Sequence, residues 1–365
     1  MTDLPQRKPK HVMMMAAGTG GHVFPALAVA KALQQQGSEV SWLATPTGME
    51  NRLLKDQNIP IYQIDIQGVR GNGILRKLVA PFKILKATLS AMRIMKQHNI
   101  NAVAGFGGYV AGPGGLAARV LGLPIIIHEQ NAIAGFTNTQ LARVATTVCQ
   151  AFPNTFPAQE KVITTGNPVR KEITEILNPT WRYEQRAKAQ EPIHVLIVGG
   201  SLGAQALNEH LPAALQKLNV PLKIFHQCGQ KQLEETQQRY ASAPAHLSVE
   251  VRPFIEDMAQ AYADADLIIC RAGALTVTEV ATAGLAAVFV PLPSAVDDHQ
   301  TANAKFLANI GAAKICPQAE MNPEYLHTLL TPLMNRQLLI EMAVKARQNA
   351  QPDATDKVVS SIQKF

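Results

Sequence analysis

Residues Cys270 to Asn303 read CRAGALTVTEVATAGLAAVFVPLPSAVDDHQTAN: a strand, a glycine turn, a helix, a strand, a proline-bounded loop and a helix. The run Asp266-Leu-Ile-Ile-Cys270 is short, apolar and branched, as a strand buried on both faces of a parallel sheet should be. Arg271, Ala272 and Gly273 break it, and Leu275, Val277, Val280 and Ala281 resume at helical spacing. Ala274, Leu275, Thr276, Val277, Thr278 and Glu279 thus fall at a helix N-terminus, beyond the carboxyl end of a strand. Open α/β sheets bind ligands along that edge, and open backbone N–H groups there favour anions. Glu279, expected in the first turn, would repel a phosphate but suits a neutral diol such as the 2′- and 3′-hydroxyls of a ribose. On these residues alone its plainer role is favoured: complementing the helix dipole.

The same alternation runs outward through the chain. Residues 11–17 (HVMMMAA) read as an apolar strand, followed by Gly18-Thr-Gly-Gly-His22 and a helix from Phe24 to Gln36 that Gly37 closes. Apolar strands follow at Val40–Ala44, Ala102–Phe106 and Pro124–His128, with helical pattern between them. Strands alternating with helices imply a parallel, doubly wound sheet. This series ends near Gly166-Asn-Pro-Val-Arg170, and Asn178 to Pro192 is polar and charged. A second series opens at His194-Val-Leu-Ile-Val-Gly-Gly-Ser-Leu-Gly203 and continues with strands at Leu222–His226, Ser248–Val251, Asp266–Cys270 and Ala286–Val290. A chain of 365 residues is longer than one core usually serves. The expectation is an α/β protein of two Rossmann-like, doubly wound domains facing a cleft, residues 1–168 and 169–350.

Composition narrows the class. Cys149, Cys228, Cys270 and Cys316 are widely spaced with no CxxC pair, and read as buried thiols in a reducing compartment. The polar start MTDLPQRKPKH leads straight into a strand, so no signal peptide is expected, and no apolar run has the length of a bilayer span. The net charge of +7 admits nucleic acid, anionic lipid or phosphorylated substrates. Its clustering decides among them: Gly68 to Lys96 carries Arg70, Arg76, Lys77, Lys83, Lys86, Arg93 and Lys96 and no acid, interleaved with Ile74, Leu75, Leu78, Val79 and Phe82. Pro81 is expected to start a second helical segment. A solvated basic helix face is the ordinary reading. An anionic membrane surface is the sharper one, at ~1 kcal/mol per well-placed basic residue before screening. Nucleic acid is disfavoured, since stacking aromatics are few and no nucleic-acid motif is present.

The glycine loops carry the chemistry. Gly18-Thr-Gly-Gly-His22 fails as a dinucleotide fingerprint, because Val23 stands where the last glycine belongs and the next strand ends at Ala44-Thr45 with no ribose-binding acid. What remains is a loop at a helix start whose N–H groups can hold a diphosphate. Gly105-Phe-Gly-Gly-Tyr-Val-Ala-Gly-Pro-Gly-Gly115 is a second such loop, and Gly199-Gly-Ser-Leu-Gly203 a third, in which Ser201 is either a phosphate donor or a plain N-cap. Asp264-Ala-Asp266 looks like a metal-binding DxD but joins a helix end to a buried strand, so it reads as a connector.

Arg271-Ala-Gly-Ala-Leu-Thr-Val-Thr-Glu279, followed by Pro291 and Asp298-His-Gln300, resembles the donor-sugar signature of the MurG-type glycosyltransferases. The glycine loops match that family in order, except that Ala17 stands where many members have glycine. The family's architecture is the two-domain fold called GT-B, with a last helix, here 353–365, packing back on the first domain. The resemblance implies an inverting transfer of N-acetylglucosamine from UDP-N-acetylglucosamine to the C4 hydroxyl of the muramyl sugar of lipid I, giving lipid II, at the cytoplasmic membrane face. It implies no cofactor and no metal, and the company of cell-wall synthesis and division proteins.

Carried onto this sequence, the donor is held by Thr19, Gly20, Gly21, Asn131, Arg170, Ser201, Ile255, Ala274 to Glu279 and Gln300. The acceptor diphosphate falls to Gly18, Gly107, Gly108 and Tyr109. Arg170 is either a nucleotide ligand or a domain–domain ion pair, and the nucleotide role is preferred. The general base is sought in His22 and in Glu129 of His128-Glu-Gln-Asn131, whose polar side chains are expected to emerge at the sheet edge. Glu129 is the preferred base, and His22 the phosphate-side group. A UDP-N-acetylglucosamine 2-epimerase and a non-catalytic sugar-nucleotide-binding or scaffold protein are the alternatives; the first has no use for the basic apolar patch, and the presence of both His22 and Glu129 argues against the second.

Overall fold

The computed structural model describes residues 11–66, 74–200, 203–295 and 298–365, with residues 74–78 described by backbone alone. The chain divides into two compact units, Met1–Val169 with Gln351–Phe365, and Arg170–Ala350. The N-terminal unit runs β1 (His11–Ala16), α1 (Gly20–Gln35), β2 (Glu39–Ala44), α2 (Met49–Leu53), β3 (Ile61–Gln63) and α3 (Ile74–Gln97). It continues through β4 (Ala102–Gly107), α4 (Ala111–Leu121), β5 (Ile125–Glu129), α5 (Phe136–Leu141), β6 (Thr147–Gln150) and β7 (Val162–Thr164). These strands form one parallel sheet in the order β3-β2-β1-β4-β5-β6-β7. Strand β1 shows why its sequence is apolar throughout. Val12, Met14 and Ala16 pack into the core on one face of the sheet, and Met13, Met15 and Ala17 into the core on the other.

The C-terminal unit begins with α6 (Lys171–Thr174), α7 (Pro179–Lys188), β8 (Ile193–Val198), α8 (Gln205–Gln216), β9 (Leu222–Gln227), α9 (Leu233–Arg239) and β10 (Leu247–Arg252). Then come α10 (Met258–Asp264), β11 (Leu267–Cys270), α11 (Ala274–Ala283), β12 (Ala286–Phe289), α12 (His299–Ala308), β13 (Ala313–Ile315), α13 (Pro323–Leu330) and α14 (Arg336–Gln348). Its sheet is again parallel, in the order β10-β9-β8-β11-β12-β13. The last helix, α15 (Ala354–Ile362), belongs to the N-terminal unit, where Val358, Val359 and Ile362 share a core with Val23, Ala26 and Val29 of α1. In both sheets the strand order reverses once, between β1 and β4 and between β8 and β11, and such switch points are where open α/β sheets take ligands.

Several local expectations shift. Helix α1 begins at Gly20, not Phe24, because a proline this near the helix start (Pro25) costs only one early bond, and so His22 enters the first turn. Helix α3 runs unbroken through Pro81 instead of restarting there, held down by its buried face of Ala87, Ala91 and Met95. The edge strands β3, β7 and β13 are three residues each, too short for their alternation to be read. Asp264 closes α10, while Asp266 is fully buried, accepting from Arg186 Nε at 2.8 Å and from the His194 N–H at 3.0 Å.

Candidate functional site

At the N-terminal switch point the loops after β1 and β4 press together. Gly108 has φ +82°, and a Cβ on it would lie 2.1 Å from the Ala17 carbonyl oxygen, so this approach requires glycine. Gly107, at φ +104°, lies against the His22 ring, 3.0 Å from Nε2 to where a Cβ would stand. Thr19 N-caps α1 without a side-chain capping bond, and the N–H groups of Gly20 and Gly21 have no acceptor within the helix. His22 Nδ1 stands 3.3 Å from the Ala17 carbonyl. The Thr19 hydroxyl stands 3.4 Å from the same nitrogen, so both tautomers have a partner there: a protonated Nδ1 donates to the carbonyl, and a bare one accepts from the hydroxyl. Thr19, Gly18 and Tyr109 are exposed around this point. Beneath the loop the buried Glu50 accepts from the Thr45 N–H and hydroxyl, both at 3.0 Å, and from the Gly18 N–H at 3.5 Å.

The segment His128-Glu-Gln-Asn131 departs from expectation. Strand β5 runs on through Glu129, and the loop beyond folds back over the strand end. His128, Glu129 and Gln130 are therefore buried, and only Asn131 is partly exposed. Glu129 is 2% exposed with both carboxylate oxygens occupied. Oε1 accepts from the Asn131 N–H at 2.9 Å and from Asn131 Nδ2 at 3.2 Å; Oε2 accepts from the Gly135 N–H at 3.0 Å and from Asn138 Nδ2 at 2.9 Å. The carboxylate staples the loop that joins β5 to α5. His128 donates from Nε2 to the Gly166 carbonyl at 2.9 Å and accepts at Nδ1 from Gln130 at 3.2 Å. Burial holds its pKa down to about 4 against the opposing pull of the Gly166 carbonyl and Glu129, which keeps the ring neutral at pH 7.

At the C-terminal switch point the loop after β8 is tied down by Gln227, which ends β9. Its Oε1 accepts from the N–H groups of Gly199 and Gly200, both at 3.2 Å, and its Nε2 donates to the carbonyls of Gly200 and Pro253, both at 3.0 Å. A Cβ on Gly203, at φ +77°, would meet the Cys228 carbonyl oxygen at 2.0 Å. Ser201, between these glycines, lies outside the described residues.

Helix α11 starts at Ala274 with Gly273 as an N-cap that offers no side chain. The Val277 N–H already bonds the Gly273 carbonyl, so Ala274, Leu275 and Thr276 present N–H groups without a helical acceptor. Val277 and Thr278 turn inward instead, and the Thr278 hydroxyl donates to the Ala274 carbonyl at 2.9 Å. Glu279 sits in the second turn, not the first. Dipole effects fade within one turn, so complementing the helix does not account for this carboxylate. Its Oε1 lies 3.4 Å from Arg170 Nη2, and its Oε2 accepts from the buried Tyr262 hydroxyl at 2.9 Å. Burial raises the Glu279 pKa, with Arg170 and Tyr262 pulling it back. Gln300 bridges two loops, its Oε1 accepting from the Ala272 N–H at 3.3 Å and the Leu292 N–H at 3.0 Å. Ile255 is buried in the turn after β10. Arg170 N-caps α6 and makes its ion pair inside the C-terminal unit.

Sequence reasoning missed Glu50, Asn138, Gln227 and Tyr262, which orient the residues it found. Gln227 had a readable signal, a polar residue closing an apolar strand. Tyr262 had none, since its helix reads as ordinary core.

Helix α3 exposes Val79, Phe82, Leu85 and Leu89, with Phe82 at 75%, and Lys83, Lys86, Arg93 and Lys96 are exposed on the same helix. Helix α4, which packs against it, exposes Leu116 and Val120. The side chains of Ile74, Leu75, Arg76, Lys77 and Leu78 lie outside the described residues, as does Arg70. Among the described residues no helix is long and apolar enough to cross a membrane.

Residues 12–150 match the glycosyltransferase family 28 N-terminal domain, and residues 194–358 its C-terminal domain. The chain is 79% identical over 363 residues to a UDP-N-acetylglucosamine–N-acetylmuramyl-(pentapeptide) pyrophosphoryl-undecaprenol N-acetylglucosamine transferase from Acinetobacter baylyi, each chain being covered in full. It is 78% identical over 365 residues to the enzyme of the same name from Acinetobacter baumannii, again in full on both sides. The crystal structure of Acinetobacter baumannii MurG superimposes with a TM-score of 0.88 at 75% identity, covering 98% of this chain and 100% of that one. The chain belongs to glycosyltransferase family 28.

Proposed function

We propose that this chain transfers N-acetylglucosamine from UDP-N-acetylglucosamine to the C4 hydroxyl of the muramyl sugar of lipid I, the undecaprenyl-pyrophosphoryl muramyl-pentapeptide, giving lipid II. The observation that carries this reading is a pairing within the C-terminal domain: three N–H groups open at the start of α11, and one turn on the held carboxylate of Glu279. A diphosphate suits the first and a ribose diol the second. Arg170 and Ser201 add positive charge and a donor hydroxyl to the diphosphate, while Gln300 and Ile255 of the same domain take the sugar and base. Gly18, Gly107, Gly108 and Tyr109 take the acceptor diphosphate.

The reaction is one in-line displacement. The C4 oxygen forms a bond to the sugar C1, the bond from C1 to the phosphate oxygen breaks, and its electron pair leaves with UDP. Helix N–H groups and Arg170 stabilise that departing charge, which is preorganised electrostatic catalysis. The C4 proton goes to His22 Nε2. This revises the preference for Glu129, whose oxygens already accept four hydrogen bonds from their own loop. In the tautomer that donates from Nδ1 to the Ala17 carbonyl, His22 Nε2 is the nitrogen that accepts a proton. The exposed apolar and basic side chains of α3 support peripheral binding at the cytoplasmic face of the membrane, where the lipid acceptor resides.

Incubating the chain with labelled UDP-N-acetylglucosamine, with and without a lipid I analogue, separates the readings. Transfer to lipid supports this one, whereas epimerisation or binding without turnover overturns it. Glu279→Ala should weaken UDP binding roughly ten- to a hundredfold, the loss of charge-assisted hydrogen bonds.

A further inference from the structure

Helices α10 and α11 lie side by side, and their side chains meet at a partly buried hydrogen bond. Tyr262 is 1% exposed and its hydroxyl is 2.9 Å from Glu279 Oε2. Burial, and after it the charge of Glu279, keep the phenol protonated far above its ordinary range, so it donates and never accepts. The second partner, Arg170 Nη2, stands farther off at 3.4 Å on a side chain 45% exposed.

The backbones behind the pair are tied together as well. The buried Arg182 of α7 donates to the carbonyls of Tyr262 at 3.3 Å and Ala263 at 2.9 Å, at the end of α10. The same guanidinium donates to the carbonyls of Ala283 at 2.6 Å and Gly284 at 2.9 Å, at the end of α11. One side chain therefore holds both helix C-termini, and the spacing of Tyr262 and Glu279 is set from that end.

We propose that Tyr262 is a positioning residue for the donor nucleotide, pinning Glu279 Oε2 so that the carboxylate's remaining lone pairs stay turned to the two ribose hydroxyls. This rests on Glu279 as the ribose acceptor. A carboxylate on an unpinned side chain would sample several rotamers, and each vicinal hydroxyl needs its acceptor in place before it arrives. The titratable or charged groups acting on Glu279 among the described residues are Arg170, Tyr262 and Cys270. Burial and the neighbouring carboxylate push the Cys270 thiol up, so it stays neutral. Burial of Glu279 favours its protonated form; the charge of Arg170 opposes that first, and the Tyr262 hydrogen bond next. Removing it should move protonation of Glu279, and with it the loss of nucleotide binding, to higher pH.

The test is UDP affinity of the full chain, measured by calorimetry across mildly acid to neutral pH, for Tyr262→Phe, Glu279→Ala and the double variant. Tyr262→Phe should bind UDP roughly tenfold more weakly near neutrality, the loss of a hydrogen bond to a charged group. Its acid limb should shift to higher pH. In the Glu279→Ala background Tyr262→Phe should add nothing. Glu279→Asp, which keeps the charge but withdraws it from Tyr262, should lose nearly as much as Glu279→Ala, and it keeps the idea testable should Tyr262→Phe fold poorly. Unchanged affinity in Glu279→Ala overturns the ribose reading itself. Weakened affinity in Glu279→Ala, with the Tyr262→Phe acid limb unmoved or Glu279→Asp equal to the parent, overturns the positioning role alone.

Discussion

Two candidate bases in the N-terminal domain differ in what their environments leave them able to do. A buried carboxylate with four donors is a structural joint: protonating it would break bonds that hold the loop between β5 and α5. Glu129→Gln replaces one acceptor oxygen with an NH2 group facing two donors. The expected cost is ~1.5–3 kcal/mol of stability, as for buried hydrogen bonds to a charged group. Any loss of rate should track the loss of order in that loop. His22→Gln should instead leave the melting temperature near the parent's and UDP affinity intact, while kcat falls ~10²–10⁴-fold, as when a general base is removed. Single-turnover transfer and thermal unfolding of both variants decide it. Parent-like stability with a large rate loss in Glu129→Gln would return the base to Glu129.

At the level of elements, helix α3 is the outlier. Its buried face of Ala87, Ala91 and Met95 explains how it docks, and nothing in the docking calls for Phe82, Leu85 and Leu89 to face solvent. Replacing Arg76, Lys77, Lys83 and Lys86 with Gln should weaken binding to anionic vesicles by up to ~1 kcal/mol per residue and flatten its salt dependence. Turnover of a short-chain soluble acceptor should persist. Equal vesicle binding by variant and parent at low salt would make this an ordinary solvated face. The strands at the two switch points were legible in the sequence because they are apolar on both faces and run into glycine, as at Met15–Gly18 and Ile269–Gly273. What was not legible is tertiary. Glu129 looks like an emerging polar residue until Asn138, nine positions on, folds back to meet it. Tyr262 looks like core until α11 places Glu279 beside it. Glu279 is the sixth residue from Ala274, the expected and observed start of α11, so its place in the second turn follows from the helical pitch alone.

Across the whole molecule the buried histidines couple folding to acidity, and each domain holds one. His128 in the N-terminal domain and His226 in the C-terminal domain are both neutral and enclosed, their pKa values pushed by burial from 6.5 to about 4 and about 3. His226 is hydrogen-bonded to Tyr240 at 3.1 Å and to Asn208 at 2.9 Å. The folded pKa lies below the unfolded one, so as pH falls through 6.5 the unfolded chain takes up the proton first. Stability is complete above that point and declines toward the folded values, by about 1.4 kcal/mol per pH unit for each histidine. At a pH of about 5 each domain should have lost about 2 kcal/mol, several degrees of melting temperature for domains of this size. Ordinary carboxylates titrate below this window, so they add little. Glu279 acts with the opposite sign, because its pKa is raised on folding and its protonation relieves a burial cost as pH falls. The acid loss should therefore be cleaner in the N-terminal domain than in the C-terminal one. Calorimetric unfolding at several pH values between about 8 and 5, resolving one transition per domain, measures it. In His128→Gln, which no longer titrates, the N-terminal transition should start lower but stay level across that window. A parent N-terminal transition already level from neutral pH to about 5 would mean that His128 exchanges its proton in the folded state, and the sealed, neutral ring inferred here would be wrong.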